Sequence, residues 1–251
     1  MTGRLSGRIA VVTGASKGIG KAIAISLASE GAKVILVSRD RSQLEEAAAE
    51  ITGTGGDAAV FPADITSEEQ VRALERDVLA RFGQVNILVN NAGINVRKPV
   101  DEFTLADWRL VMDTNVTGAF LMCRSFVPAM KGRGYGRILN LTSMMAHVSL
   151  PLRMAYSTSK SALLGMTRAL ALELAPEGIT VNGISPGPVA TEMNRPLMEN
   201  PELGAQLLSN VPLGRWCKVE EIGALAAFLC SEEGGFVTGT DVLMDGGWCA
   251  R

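Results

Sequence analysis

Short runs of β-branched and aliphatic residues alternate with longer stretches of helical periodicity along the whole chain, and that rhythm leaves few folds open. Arg8–Thr13 predicts a buried strand closed by Gly14. Gly18–Glu30 predicts a helix with Ile19, Ala22, Ile23 and Leu27 on one face and Gly31 as its stop. The alternation continues with strand Lys33–Ser38, helix Ser42–Thr52, strand Ala58–Pro62 and helix Ser67–Phe82, where Ser67 is the expected cap with Gln70 three residues on. Strand Val85–Asn90 and one long helix over Leu105–Met130 follow. Strand Arg137–Leu141, helix Ala155–Ala175, strand Ile179–Ile184, helix Val219–Cys230 and strand Val242–Met244 complete the pattern. This spacing predicts an α/β fold, a doubly wound parallel sheet of about seven strands with helices on both faces and right-handed crossovers. The prolines of Pro186–Arg215 mark the one long irregular stretch, expected to be a substrate loop.

Composition removes several classes of function. The net charge of −2 leaves no electrostatic footprint for nucleic acid or for a polybasic membrane face. The start, Met1-Thr2-Gly3-Arg4-Leu5, has no apolar run of a secretion signal, and no apolar stretch approaches the roughly 18 residues that span a bilayer. Cys123, Cys217, Cys230 and Cys249 are scattered, which predicts reduced thiols in a cytoplasmic protein. With His147 as the one histidine, no metal site is expected.

In an open parallel sheet, ligands bind beyond the carboxyl ends of the strands. After the first strand comes Thr13-Gly14-Ala15-Ser16-Lys17-Gly18-Ile19-Gly20. Such glycines permit a tight turn and close approach of backbone to a pyrophosphate, and a helix opening at Gly18 aims free N–H groups at it. A plain turn is the alternative; the position between strand and helix favours the dinucleotide site. At the end of the second strand, an NAD site would place a carboxylate against the ribose hydroxyls. Here Ser38 and Arg39 stand there, with Lys17 nearby, a set suited to a 2′-phosphate and hence to NADP(H). The alternative is that both cations are solvated surface charges, with Asp40 adjacent. Asp64 is placed to accept from an adenine amino group or to start the next helix. Asn90-Asn91-Ala92-Gly93 closes the fourth strand with small residues where backbone passes a cofactor, or else ties strand ends together.

Tyr156 and Lys160 are four apart on a predicted helix and so share one face. A lysine ammonium and an oxidised nicotinamide beside a phenol would lower its pKa, so that the tyrosine exchanges a proton with a carbonyl oxygen as hydride moves. Ser143, at the end of the fifth strand, can hydrogen-bond the same oxygen, and Asn115 can hold a water for relay to Lys160. Their order along the elements carries the inference.

The chain resembles the short-chain dehydrogenase/reductase family over nearly its whole length. The resemblance rests on Thr13-Gly14-x-x-x-Gly18-Ile19-Gly20, Asp64, Asn90-Asn91-Ala92-Gly93, Asn115, Ser143, Tyr156-x-x-x-Lys160, Pro186-Gly187 and Thr191. It implies one dinucleotide-binding and catalytic domain over residues 1–251, with Tyr156 as acid/base, Ser143 orienting substrate, Lys160 on the nicotinamide ribose and Asn115 completing a tetrad. It implies cofactor contacts from Gly14, Ser16, Lys17, Gly18, Ile19, Gly20, Ser38, Arg39, Asp64, Ile65, Asn91, Ala92, Gly93, Tyr156 and Lys160. Pro186, Gly187, Val189 and Thr191 would meet the nicotinamide half, and a homotetramer is the expected assembly.

The substrate is a small-molecule carbonyl or alcohol, with Met144, Met145, His147, Arg153 and the loop around Met193, Leu197 and Met198 as expected walls. Arg97 and Arg153 are candidates for a substrate carboxylate, against a solvated surface role, and His147 reads as a structural loop residue ahead of a ligand contact. The stretch from Asn91 to Arg97 and the Ser143-Met144-Met145 run are similar to gluconate 5-dehydrogenase and related sugar-acid enzymes. β-Ketoacyl-carrier-protein reductase is the alternative resemblance, but Glu177 stands before Gly178 where a basic docking residue is often found. An NADP-binding sensor or scaffold is the non-enzyme alternative, against which Tyr156 and Lys160 both argue.

Overall fold

The structure is a computed structural model that describes residues 3–250, apart from the side chain of Met193. β1 (Ile9–Thr13), β2 (Lys33–Val37), β3 (Asp57–Val60), β4 (Ile87–Asn90), β5 (Gly136–Leu141), β6 (Ile179–Pro186) and β7 (Asp241–Met244) form one sheet in the order β3-β2-β1-β4-β5-β6-β7. Every pairing is parallel.

Strand periodicity sorts the core into two layers. Ala10, Val12, Val34, Leu36, Ile87 and Val89 pack with α1 (Gly18–Ser29), α2 (Arg41–Gly53) and α9 (Val219–Cys230). Their strand neighbours Ile9, Val11, Ile35, Val37 and Leu88 face the other way. There they pack with α3 (Glu68–Phe82), α5 (Gly118–Met130) and α6 (Met154–Leu174). Because parallel strands are covered on both faces, they read as continuous apolar runs rather than alternating ones.

Three local expectations are corrected. The predicted helix Leu105–Met130 is split into α4 (Leu105–Met112) and α5 by a π-helical turn over Asp113–Thr117, which contains Asn115. Pro186–Arg215 is not irregular throughout, since β6 runs to Pro186 and the segment holds α7 (Arg195–Met198) and α8 (Pro201–Leu208). Pro196 and Pro201 stand at the starts of these helices, where a missing N–H breaks no helical bond. Ser67 does cap α3 by accepting from the Gln70 N–H, but the Gln70 side chain accepts from the Asp64 N–H at 2.9 Å instead of closing the box.

Candidate active site

The strand order reverses between β1 and β4, and the crevice at their carboxyl ends is the ligand position such a sheet offers. Thr13 Oγ1 donates to Val89 O at 3.2 Å and accepts from the N–H groups of Asn91 and Ala92. Asn91 Nδ2 donates to the carbonyls of Thr13 and Gly14. The Asn-Asn pair therefore does tie the strand ends: Asn90 Nδ2 donates to Asn140 Oδ1 at 2.9 Å, and Asn140 passes the chain on to Thr167 on α6.

The glycine loop fits a dinucleotide phosphate. Gly14 and Gly18 take φ of 62° and 57°, the left-handed region where glycine is least strained. A Cβ at Gly14 would lie 2.8 Å from Asn91 Nδ2, and one at Gly20 would lie 2.3 Å from Gly14 O, so the turn closes only with these residues. Lys17, at the N-terminus of α1, makes no side-chain cap, and the first turn holds no acidic residue. The free N–H groups there are thus open to an anion. Ser16 is half-buried in this loop and Lys17 exposed.

At the end of β2, Arg39 is exposed and Ser38 half-buried. Asp40 is committed elsewhere. It caps α2, accepting from Ser42 Oγ at 2.7 Å and from the Gln43 N–H, bonds that hold its carboxyl below the usual range. That leaves Arg39 without a carboxylate competitor from its neighbour. Asp64 Oδ1 accepts from the N–H and hydroxyl of Thr66, so this oxygen shapes the local turn, while Ile65 is buried beneath α5 against Gly118.

The catalytic candidates converge one strand further on. Tyr156 and Lys160 share a face of α6, with Lys160 Nζ 5.6 Å from the Tyr156 ring centroid and donating to Leu141 O at 2.5 Å. Burial pushes the Lys160 ammonium down to about 8. Burial likewise raises the Tyr156 phenol, opposed by a Ser143 hydrogen bond and then by the charges of Arg153 and Arg97. The protein by itself thus moves Tyr156 upward, whereas the expected lowering is ascribed to Lys160 together with an oxidised nicotinamide. Burial exceeds what Ser143 and the guanidiniums return, and any lowering is left to the charge of a bound cofactor.

Asn115 lies where the π turn brings it against the β4 segment. Its Oδ1 accepts from the Ile94 N–H at 2.8 Å, and its Nδ2 donates to Ile94 O and to Ser159 Oγ. A Cβ on Gly93 would approach Asn115 Oδ1 to 3.3 Å and Lys160 Nζ to 3.5 Å, so the backbone at Gly93 packs closely against both side chains. Asn115 sets the path of the backbone past the candidate cofactor position rather than bonding Lys160 directly.

The segment after β6 folds back on the glycine loop, since a Cβ at Gly18 would lie 3.7 Å from Thr191 Cγ2. Gly187 is held by its N–H to Met244 O at 3.0 Å, and a Cβ there would strike Asp245 Cα at 2.6 Å. Pro186 and Val189 are buried, Val189 within the core, so its side chain faces the protein and only its backbone is left to a cofactor. Of the expected substrate walls, Met144 and Met145 are buried and Met198 is 43 % exposed. The Met193 side chain lies outside the described residues.

Arg97 and Arg153 act electrostatically on each other and on Tyr156. Among the described residues neither guanidinium makes a hydrogen bond or ion pair. Arg153 follows Leu152, whose φ of 65° is strained for a side chain of that kind, a conformation typically retained at functional sites. The sequence reading missed Thr142, Ser159, Ser185 and Asp241.

These features define a nicotinamide-type oxidoreductase site on a doubly wound sheet, and comparison with known proteins agrees. The family described as enoyl-(acyl carrier protein) reductase matches residues 14–249. D-threitol dehydrogenase of Mycolicibacterium smegmatis is 38% identical over 99% of this chain and 95% of its own length. Gluconate 5-dehydrogenase of Gluconobacter oxydans is 37% identical over 97% and 95%. The 3-oxoacyl-[acyl-carrier-protein] reductase of Synechocystis is 36% identical over 97% of each. A solved gluconate 5-dehydrogenase from Burkholderia cenocepacia, in complex with NADP and tartrate, superposes with a TM-score of 0.94 at 35% identity, covering 99% of this chain and 97% of that one. A short-chain type dehydrogenase/reductase from Mycobacterium marinum gives 0.92 at 38%, covering 98% and 97%. The chain belongs to the short-chain dehydrogenase/reductase family.

Proposed function

We propose that this chain is one domain that transfers a hydride between NADP(H) and a carbonyl or secondary alcohol, with Tyr156 as the proton-transfer residue and a carboxylate-bearing substrate such as a keto-sugar acid. The observation that carries the reading is the meeting of Ser143, Tyr156 and Lys160 at the carboxyl edge of the sheet, beside an uncapped helix N-terminus. When bound, NADP(H) supplies the hydride. Gly14 to Gly20 would hold its pyrophosphate, Ser38 and Arg39 its 2′-phosphate, Asp64 and Ile65 its adenine, and Asn91 to Gly93 with Pro186 to Thr191 its nicotinamide half.

The chain's own residues do the rest. Ser143 and the Tyr156 hydroxyl bracket the position of the reacting oxygen. Burial favours the protonated phenol, the form that donates to an oxygen gaining charge. Lys160, fixed by Leu141 O, holds positive charge near that phenol. The tetrad role of Asn115 is to hold the Ile94 turn and Ser159 in place.

Two guanidiniums beside the phenol, with no carboxylate on either among the described residues, favour an anionic substrate. The solved relative that holds tartrate, a dicarboxylate, is in keeping with this. Carrier-protein docking finds less support, because Glu177 is engaged with the Gly132 N–H at 3.0 Å. The test is NADPH and NADH oxidation with 5-keto-D-gluconate and with fructose, a neutral ketose. NADPH and the keto acid should be preferred, and Arg153→Ala should raise KM for the keto acid about tenfold or more while leaving NADPH binding unchanged. Preference for NADH, or equal use of both ketones, would overturn the respective assignment.

We further infer a cytoplasmic homotetramer. Among the described residues no helix is long and apolar enough to cross a membrane, and all four cysteines are free. Large apolar side chains stand exposed and open to a second copy, with Phe120 on α5 48 % exposed, Leu172 on α6 82 % and Leu243 on β7 41 %.

A further inference from the structure

Behind Ser143 lies a polar cluster that the proposed reaction does not use, and it engages His147, the histidine expected at the substrate wall. Asp241, at the start of the edge strand β7, turns its carboxylate inward and is 7 % exposed. Its Oδ1 accepts from Thr142 Oγ1 at 2.5 Å. Its Oδ2 accepts from Ser185 Oγ at 2.5 Å and meets His147 Nε2 at 2.6 Å. Space for this inward turn exists because the residue paired with Asp241 on β6 is Gly183, where a Cβ would come within 2.0 Å of Oδ1.

The connectivity gives the cluster its meaning. Thr142 and His147 flank the short segment that carries Ser143, and both are bound to the same carboxylate. Thr142 is also tied to β6 through its N–H, which donates to Ile184 O at 2.9 Å, and its single hydroxyl proton is shared between that carbonyl at 2.7 Å and Asp241 Oδ1. Within the segment, Ser143 Oγ accepts from the Met145 N–H, which closes the turn. Ser185, the third partner, immediately precedes Pro186 and Gly187. One buried carboxylate therefore grips both ends of the Ser143 turn and the strand end from which the candidate nicotinamide segment departs. Charge-assisted bonds of this kind are short and about twice as strong as neutral ones.

We propose that Asp241 and His147 form a positioning pair, which fixes the Ser143 hydroxyl relative to the Pro186–Gly187 segment without touching substrate or cofactor. The proposal rests on the reading of Ser143 given above. A displacement of about 1 Å in such a site costs on the order of a hundredfold in rate, so loosening the turn acts on turnover before it acts on binding. The His147 side chain is 29 % exposed at the rim and supplies the partner of the carboxylate that faces solvent.

The test uses the whole enzyme with NADPH and 5-keto-D-gluconate. His147→Leu and Asp241→Asn should each lower kcat about ten- to a hundredfold, with Kd for NADPH unchanged. Because both act through one contact, the double variant should be no slower than the slower single one. His147→Gln, whose side-chain amide can still donate to the carboxylate, should recover most of kcat. Losses that multiply, or a lowered Tm with kcat unchanged, would overturn the proposal and leave a structural staple.

A second readout needs no substrate, and so separates failure here from failure of the substrate assignment. His147 is the only histidine in the chain, so its ring nitrogens can be followed by NMR without ambiguity. The proton should sit on Nε2 in the resting enzyme, and Asp241→Asn should shift that signal. A ring signal indifferent to Asp241→Asn would refute the pair.

Discussion

Lys160 and Tyr156 show what burial does to two groups of opposite charge type. Desolvation disfavours the ammonium and the phenolate alike, lowering the lysine to about 8 and raising the tyrosine. The sign for activity follows. Below about 8 Lys160 carries its proton in the free enzyme, and above it the positive charge is lost. kcat/KM for NADPH, which reports free-enzyme groups, is therefore expected to fall as pH rises through about 8. A steady-state pH profile checks this. At the same scale, the motif residues were legible in the sequence because each stands at a fixed spacing on its own element. Asp241 was not, because its role depends on Gly183 of a neighbouring strand and on Thr142, 99 residues away. The upward shift of Tyr156 was equally hidden, since motif spacing says nothing of how deeply a phenol is buried.

Among the elements, the π turn between α4 and α5 is the informative departure. A continuous α-helix over Leu105–Met130 satisfies the hydrophobic periodicity, so sequence pattern alone favours it. The wider turn wins because it lets Asn115 satisfy both backbone groups of Ile94 and the Ser159 hydroxyl at once. Asn115→Ala would leave buried or half-buried polar groups without partners, each worth about 1–3 kcal/mol. A loss of about 2 kcal/mol in urea unfolding is expected, along with weaker turnover. The prolines of the segment after β6 misled in a similar way. They mark chain breaks in a sequence, yet at helix starts they are well tolerated, and the broken pattern concealed α7 and α8.

On the scale of the whole molecule, the strand rhythm determined the sheet, because a chain that alternates buried strands with amphipathic helices must cover both faces. Assembly is less legible, since an exposed apolar side chain has no periodic signature of its own. Leu172 and Phe236 are 82 % and 103 % exposed, and α6 and the approach to β7 lie open. Sedimentation should give a tetramer, and Leu172→Lys with Phe236→Ser should shift it toward smaller species. Tyr156 is the titratable group proposed to exchange a proton with the substrate. Tyr156→Phe removes the transferable proton while keeping the ring, the helix and the cofactor surface. Stopped-flow and steady-state assays of this variant should show kcat reduced by about a thousandfold with NADPH binding intact. Turnover at the wild-type rate would contradict the account.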